Sequence, residues 1–204
     1  RSGFVFFCIK EEGIPIDVLE VDRKILVAFA WEPSGNRFAV IHEGDKGPNL
    51  SSVSFYSTVT PPGKVTKLFT LHKKQADSLF WSPTGKLIVL AGLKECFGGK
   101  LQFFYVDQRK QITSVIKHSV NHVVWDPSGR YVATALTIPQ QVFDVNYDSV
   151  RDDPLERFSM WSSSGDHIYF HQCDCSLLQM DWRPYGRGGI IDDELVKMQK
   201  NPFQ

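Results

Sequence analysis

The chain has 204 residues, of which 42% are hydrophobic and 23% charged, so it can bury a sizeable core. Lysine plus arginine and aspartate plus glutamate number 23 each, which excludes binding to phosphates through an overall basic excess but leaves a local patch open. No apolar run approaches the roughly 20 residues that span a bilayer, and four cysteines are too few and too unevenly spaced for a disulfide framework, which predicts a cytoplasmic protein without membrane contact.

A five-residue pattern, Trp-x-Pro-x-Gly, occurs four times along the chain. Proline presets φ for the second position of a type I turn, and glycine accepts the left-handed conformation that closes it. Short apolar runs flank the turns, as buried strands do, so the pattern predicts β-hairpins. The four copies contain Trp31, Pro33 and Gly35; Trp81, Pro83 and Gly85; Trp125, Pro127 and Gly129; and Trp182, Pro184 and Gly186.

The spacing of these copies predicts a repeated sheet. Successive tryptophans of the pattern lie 50, 44 and 57 residues apart, and periods of about 40–50 residues with four strands each are typical of β-propeller blades. In chain order, we predict strands at 4–9 and 17–20; 25–31, 37–42, 52–57 and 65–71; 78–81, 87–91, 100–106 and 111–116; 122–125, 131–135, 158–161 and 167–172; and 177–182.

The sequence therefore predicts an all-β fold, a WD40-like β-propeller fragment of about three and a half four-stranded blades over residues 1–185. Because such a ring does not close on this number of blades without exposing strand edges, we expect more propeller before residue 1. Trp161 lies too close to Trp182 to begin a blade, so we place it on an inner strand. A charged insert at 144–157 interrupts the third blade, and Gly98-Gly99-Lys100 is predicted to be a turn that enters a strand.

Several segments around the turns share more than a generic WD40 repeat would; they are 12–20, 29–40, 53–56, 74–76, 80–83, 89–93, 124–132, 177–179 and 182–184. These segments resemble the b subunit family of eukaryotic translation initiation factor 3. The resemblance implies a nine-bladed propeller that docks on proteins and rRNA of the small (40S) ribosomal subunit, with an RNA-recognition-type domain before it. It also implies a non-catalytic scaffold that tethers other subunits of the factor during assembly of the initiation complex and mRNA recruitment. The sequence departs from the family at 137–141 and at 165–175, so contacts made there are not carried over.

Residues 186–204 are predicted to form a glycine hinge and a short C-terminal α-helix. Ile191, Leu195 and Met198 make an i, i+4, i+7 stripe, with aspartates at the helix start and lysines near its end. From the sequence alone, the stripe is equally consistent with packing against the propeller and with binding a partner. The resemblance favours binding of the partner subunits.

Two further sets of residues are candidates for sites. His167, His171, Cys173 and Cys175 are of types that bind zinc, but one straight strand cannot surround a tetrahedral ion, so ordinary polar side chains of an edge strand are the favoured interpretation. Short cationic groups are solvated loop tips or ribosome contacts, and they contain Lys73, Lys74, Arg109, Lys110, Arg183 and Arg187.

No arrangement of nucleophiles, paired carboxylates or phosphate-binding glycines indicates catalysis, a cofactor or a small-molecule substrate. Two alternatives to the initiation-factor interpretation stay open. One is a WD40 interaction module of an unrelated complex. The other is the propeller of a propeller-gated peptidase.

Overall fold

The computed structural model describes residues 2–7, 15–21, 25–44, 49–59, 64–117, 120–137, 156–172 and 177–183. Over these residues the fold is all-β. In chain order, its strands are β1 (Ser2–Phe7), β2 (Pro15–Val21), β3 (Leu26–Trp31), β4 (Arg37–Glu43), β5 (Ser51–Ser57), β6 (Thr66–Lys74), β7 (Ser78–Trp81), β8 (Leu87–Gly92), β9 (Lys100–Tyr105), β10 (Lys110–Ile116), β11 (His122–Trp125), β12 (Tyr131–Ala135), β13 (Glu156–Ser162) and β14 (His167–Gln172). A single 3-10 turn, Glu95–Phe97, is the one helical element among the described residues.

The strands form three four-stranded antiparallel sheets, each a simple meander in chain order. Blade 1 contains β3 to β6, blade 2 contains β7 to β10, and blade 3 contains β11 to β14. Strands β1 and β2 pair separately as a two-stranded antiparallel ribbon. The three predicted sets of four strands are thus confirmed, with ends that differ by up to three residues, as where β6 continues to Lys74.

Each complete Trp-x-Pro-x-Gly copy forms the predicted hairpin. Gly35, Gly85 and Gly129 have φ values of 77°, 69° and 72°, in the left-handed region that side chains with a Cβ avoid. Each glycine N–H donates to the carbonyl three residues earlier, over 2.8–2.9 Å. The fourth copy is described only as far as Arg183, so the turn at Pro184 and Gly186 stays a prediction.

Buried apolar side chains fill the two interfaces between successive blades. Because neighbouring residues of a strand point to opposite faces, β8 supplies Ile88 and Leu90 to one interface and Val89 and Ala91 to the other. Around them, the first interface buries Ala39, Ile41, Val53, Phe55, Ala76, Trp81, Phe104 and Val106. The second buries Leu101, Phe103, Val120, Val123, Trp125, Val132 and Trp161.

The repeated tryptophans also connect neighbouring blades through their indole N–H groups. Trp81 Nε1 donates to the carbonyl of Ala30, over 3.2 Å, and Trp125 Nε1 donates to that of Phe80, over 2.9 Å. In each case the acceptor immediately precedes the tryptophan of the previous blade. The period of the pattern therefore specifies a contact between blades as well as a turn.

Arg37 joins blades 1 and 2 at the level of the turns. Its Nη1 lies 2.6 Å from Asp107 Oδ1, and its Nη2 donates to the carbonyl of Gly85 over 2.9 Å. Its Nε lies 3.5 Å from Glu32 Oε2, and the guanidinium stands 5.7 Å from the Trp81 ring centroid. One side chain thus links a strand of blade 1 with two turns of blade 2.

The prediction for Trp161 is confirmed, because β13 pairs with β12 on one side and β14 on the other. Its indole Nε1 donates to Thr134 Oγ1 over 2.9 Å, within the same blade. The turn that follows repeats the hairpin geometry without proline: Gly165 has φ of 87° and its N–H donates to the Ser162 carbonyl.

The prediction of a strand at 177–182 is wrong, since residues 177–183 adopt no regular secondary structure. A strand needs a neighbour with a continuous hydrogen-bond ladder, and no described strand provides one here. Only isolated contacts join this segment to β11: His122 Nε2 lies 2.9 Å from the Met180 carbonyl, and Trp182 Nε1 donates to that of Val124 over 3.3 Å.

Three other predictions fall outside the described residues. They concern most of the charged insert at 144–157, the hinge and helix at 186–204, and with them the domain boundary at 185. Of the insert, only its end is described, as the start of β13 at Glu156. The nine-blade count also stays a prediction.

Candidate functional site

The structure brings two of the predicted cationic groups to the same inter-blade region. Lys74 ends β6, the outer strand of blade 1, and Arg109 precedes β10, the outer strand of blade 2. Lys73 and Lys110 beside them are exposed. Arg183 is also exposed but lies apart in sequence beyond blade 3, and Arg187 is outside the described residues.

Lys74 extends from blade 1 over blade 2. Its Nζ lies 4.5 Å from the centroid of the Phe104 ring and 3.5 Å from Gln111 Oε1. A cation over an aromatic face is attracted by the negative face of the ring. Burial and, to a lesser degree, the nearby charge of Lys100 lower the pKa of Lys74 below its ordinary value.

Lys100, at the start of β9, is a member of this site that sequence reasoning missed. Its Nζ donates to Gln75 Oε1 over 2.9 Å, and Gln75 directly follows Lys74. Lys100 is a single cation after a glycine pair, so the sequence marked it only as part of a turn. The pairing of β9 with its neighbours is what brings it to the edge of blade 1.

Glutamine amides connect the cations, and Arg109 extends the site. Gln102 Nε2 donates to Gln111 Oε1 over 3.3 Å, and the Arg109 guanidinium lies 5.0 Å from the Phe69 ring centroid. We call this set the blade seam; it contains Lys74, Gln75, Lys100, Gln102, Arg109 and Gln111.

The backbone of the blade seam is distorted where its cations leave the sheet. Among the described residues, only three non-glycines have positive φ, and two are Lys73 at 55° and Arg109 at 53°. Holding a side-chain-bearing residue in this region costs about 1–3 kcal/mol. Such strain is found preferentially at functional positions, so it gives a reason to consider the seam as a site.

At Lys73 the distortion changes which side chain faces blade 2. Val53 pairs with Leu71 and Ser51 pairs with Lys74, so one extra residue of β6 is accommodated between these pairs. Phe69 and Leu71 face blade 2, and regular alternation would put Lys73 on that face next. The bulge puts Lys74 there instead, which is how bulges redirect side chains.

No ion pair joins a cation of the blade seam to a carboxylate within the described part of the chain. The ion pairs found there are those of Arg37 with Glu32 and Asp107. Gln102 is 6% exposed, and its Oε1 has no hydrogen-bond partner among the described atoms. The seam therefore offers cations that form no ion pair among the described residues, together with glutamine amides.

The zinc candidates do not form a site as far as they are described. His167 packs on the Trp161 ring, with centroids 4.7 Å apart, and His171 stacks on Phe158 at 5.3 Å. Cys173 and Cys175 lie outside the described residues. Across the described ranges, no three His, Cys, Asp or Glu side chains gather as a metal site requires.

The turn after Trp161 holds an exposed carboxylate. Asp166 accepts hydrogen bonds from Ser164 Oγ over 2.6 Å and Ser162 Oγ over 3.0 Å. These bonds, that of Ser164 first, lower the pKa of Asp166 because they favour its charged form. The carboxylate supports the turn from within its own loop.

Among the described residues, no helix is long and apolar enough to cross a membrane.

Comparison with known proteins gives a consistent result. The family model described as eukaryotic translation initiation factor eIF2A matches residues 2–175. The b subunit of eukaryotic translation initiation factor 3 from Arabidopsis thaliana is 46% identical over 187 residues, covering 90% of this chain and 24% of that protein. The b subunits of the same factor from Nicotiana tabacum and Xenopus laevis are 36% and 33% identical over 98% of this chain, which spans 26% of each.

Solved structures support the fold. A crystal structure of a eukaryotic initiation factor aligns with a TM-score of 0.63 at 17% identity, over 83% of this chain and 38% of that one. A chain of the mitotic checkpoint complex aligns with a TM-score of 0.52 at 16% identity, over 83% and 47% of the two chains. At these identities the likeness concerns architecture alone. The match of the family model over most of the sequence establishes that this chain belongs to the eukaryotic translation initiation factor eIF2A family, in which it is similar to the b subunits of initiation factor 3.

Proposed function

We propose that this chain is part of a non-catalytic scaffold protein of translation initiation factor 3 that acts in the cytoplasm. The observation that carries the proposal is the 46% identity to a b subunit of that factor over 90% of the chain. The chain spans about a quarter of the length of such relatives, so what the whole protein does is inferred from them.

In this proposal the blades dock on the small ribosomal subunit as a rigid body. Two features support this. Apolar side chains bury both inter-blade interfaces, and the indoles of Trp81 and Trp125 hydrogen-bond across them. Cations at Lys74, Lys100 and Arg109 are available for rRNA or for acidic protein surfaces.

The segment after the last turn would tether other subunits of the factor. The support is its sequence pattern: Ile191, Leu195 and Met198 would form one apolar stripe on a helix that follows a glycine-rich hinge. The nine-bladed ring implied by the resemblance belongs to the same proposal.

Affinity purification followed by sucrose-gradient sedimentation tests this function. The complete tagged protein should co-purify with other subunits of initiation factor 3 and sediment with small ribosomal subunits. Leu195→Asp with Met198→Asp should release the partner subunits while leaving the protein folded, with Lys200→Asp as a charge control outside the stripe. A protein that purifies with neither ribosomal subunits nor initiation factor subunits refutes the proposal and favours an unrelated WD40 complex.

A further inference from the structure

We propose that the blade seam binds the sugar–phosphate backbone of RNA, with Lys74, Lys100 and Arg109 each contacting a phosphate. This rests on the proposed role in translation initiation and deepens it, because it assigns the RNA contact to one place on the blades. The seam joins the end of β6 in blade 1 to β9 and β10 in blade 2, where a strand of RNA could follow it.

The arrangement of charge in the seam favours an anionic ligand. Lys100 donates to Gln75, the residue after Lys74, so two ammonium groups from different blades are held beside the same short segment. Like charges that approach one another destabilise a fold unless an anion lies between them. Among the described residues no ion pair joins Lys74 or Lys100 to a carboxylate, whereas a phosphate would accept from both ammonium groups.

The orientation of these side chains has an energetic cost. The bulge in β6 puts Lys73 in a left-handed conformation and turns Lys74 towards blade 2. Arg109 adopts the same strained conformation in the turn before β10, a position where glycine is usual. Two independent distortions place cations on one seam, which solvated lysines at loop tips would not require.

The types of side chain in the seam indicate the class of ligand. Lysine ammonium groups act as point charges on carboxylates and phosphates alike, so the glutamines rather than the lysines distinguish between these two ligands. The glutamine amides between the lysines both donate and accept, and RNA presents phosphate oxygens as acceptors and 2′-hydroxyls as donors and acceptors. RNA matches this mixture better than an acidic peptide does.

Fluorescence anisotropy of a labelled 20-nucleotide oligouridylate with the complete protein tests the proposal across a salt series. Each phosphate contact in single-stranded nucleic acid contributes about 0.7 to the slope of log K against log salt, or roughly fivefold in affinity at 0.1 M salt. Lys74→Gln with Lys100→Gln should therefore weaken binding about 25-fold and reduce the slope by about 1.4. Lys74→Arg with Lys100→Arg keeps both charges and should bind like the wild type.

Lys67→Gln is the matched control. Lys67 is an exposed cation of the same strand, but it pairs with Tyr56 and so faces the opposite side of blade 1. It should bind within twofold of the wild type. Equal melting temperatures of all variants exclude unfolding as the cause of a loss. The proposal is overturned if the double glutamine variant binds within twofold of the wild type, or if Lys67→Gln loses as much affinity.

A competition experiment separates RNA from an acidic protein surface. Oligoglutamate of the same net charge should displace the labelled RNA at least tenfold less well than unlabelled RNA does. Equal displacement would make the seam an acidic-peptide site and overturn the proposal. Sedimentation of the same proteins with small ribosomal subunits distinguishes failure of the proposed function from failure of the proposed RNA site. A wild-type protein that does not sediment with the subunits refutes the proposed function. If the wild type sediments with them but the double glutamine variant binds RNA normally, only the RNA site in the seam is refuted.

Discussion

The turn glycines offer a graded test of the blade interfaces, because the space around them differs although their backbone conformation is shared. A Cβ added at Gly35 would meet nothing within 4 Å, and one at Gly129 would make ordinary contacts with Pro83 and Thr84. A Cβ at Gly165 would instead collide with the Thr113 methyl and stand 2.9 Å from the ring of buried Phe103 in the neighbouring blade.

The expected losses follow from these environments. All three glycines have φ between 72° and 87°, so replacement by alanine costs about 1–2 kcal/mol for the left-handed conformation alone. At Gly35 and Gly129 this should be the whole effect. At Gly165 the overpacked contact adds about 1–3 kcal/mol, because a ring in a packed interface cannot move aside freely. We therefore expect Gly165→Ala to destabilise the protein by about 2–5 kcal/mol.

Urea unfolding of the three alanine variants, followed by tryptophan fluorescence and far-UV circular dichroism, measures these differences. Gly35→Ala is the reference, so its value subtracted from that of Gly165→Ala isolates the contact between blades 2 and 3. A Gly165→Ala protein that is no less stable than Gly35→Ala would refute the packing of Gly165 against Phe103. Unchanged stability in all three variants would instead refute the assignment of the left-handed turns.

Three further outcomes are expected. Trp125→Phe removes the N–H donated to the Phe80 carbonyl and should lower the free energy of unfolding by about 1–3 kcal/mol, measured in urea; an unchanged value would contradict the indole link between blades. Arg37→Met keeps an unbranched apolar stem but loses the ion pairs of the guanidinium, and should cost about 1–2 kcal/mol by the same method, the small size reflecting exposure of one partner. Ser164→Ala should raise the pKa of Asp166, since their hydrogen bond is the main cause of its lowering. A carboxyl whose pKa is lower in the folded than in the unfolded protein stabilises the fold at pH values above its unfolded-state pKa. This stabilisation is lost as the pH falls through the folded-state pKa, so the wild type should lose more stability than this variant on acidification. Carbon-13 NMR titration of the Asp166 carboxyl checks the shift, and a value equal to that of the wild type would contradict the hydrogen bond.

Most of the fold could be predicted because the signals for it are local. Proline and glycine at fixed offsets specify the turn that Gly35 closes, and the period between tryptophans specifies how often the sheet restarts. The strand predicted at 177–182 failed because a strand is defined by its neighbour. An apolar run indicates the tendency to pair, but the ladder itself requires a partner strand, and no described strand pairs with the segment around Met180.

The blade seam was only half visible in the sequence. Doublets drew attention to Lys74 and Arg109, but Lys100 is isolated in sequence and reaches the seam through the pairing of β9. The inter-blade packing that holds Gln75 beside Lys100 depends on register, and no local pattern reports it.

The bulge at Lys73 decides whether this surface exists as a site. Strict alternation from Leu71 would place Lys73 between the blades and Lys74 in solvent, which leaves Phe104 without a cation over its ring. A single extra residue reverses this, at the cost of a left-handed backbone that a lysine does not favour. Glycine would adopt that conformation without strain, so Lys73→Gly should preserve or raise stability and leave the orientation of Lys74 intact. Retained RNA binding by such a variant would show that the backbone bulge, rather than the side chain of Lys73, forms the seam; if binding fell as far as in the double glutamine variant, Lys73 itself would have to be counted among the phosphate contacts.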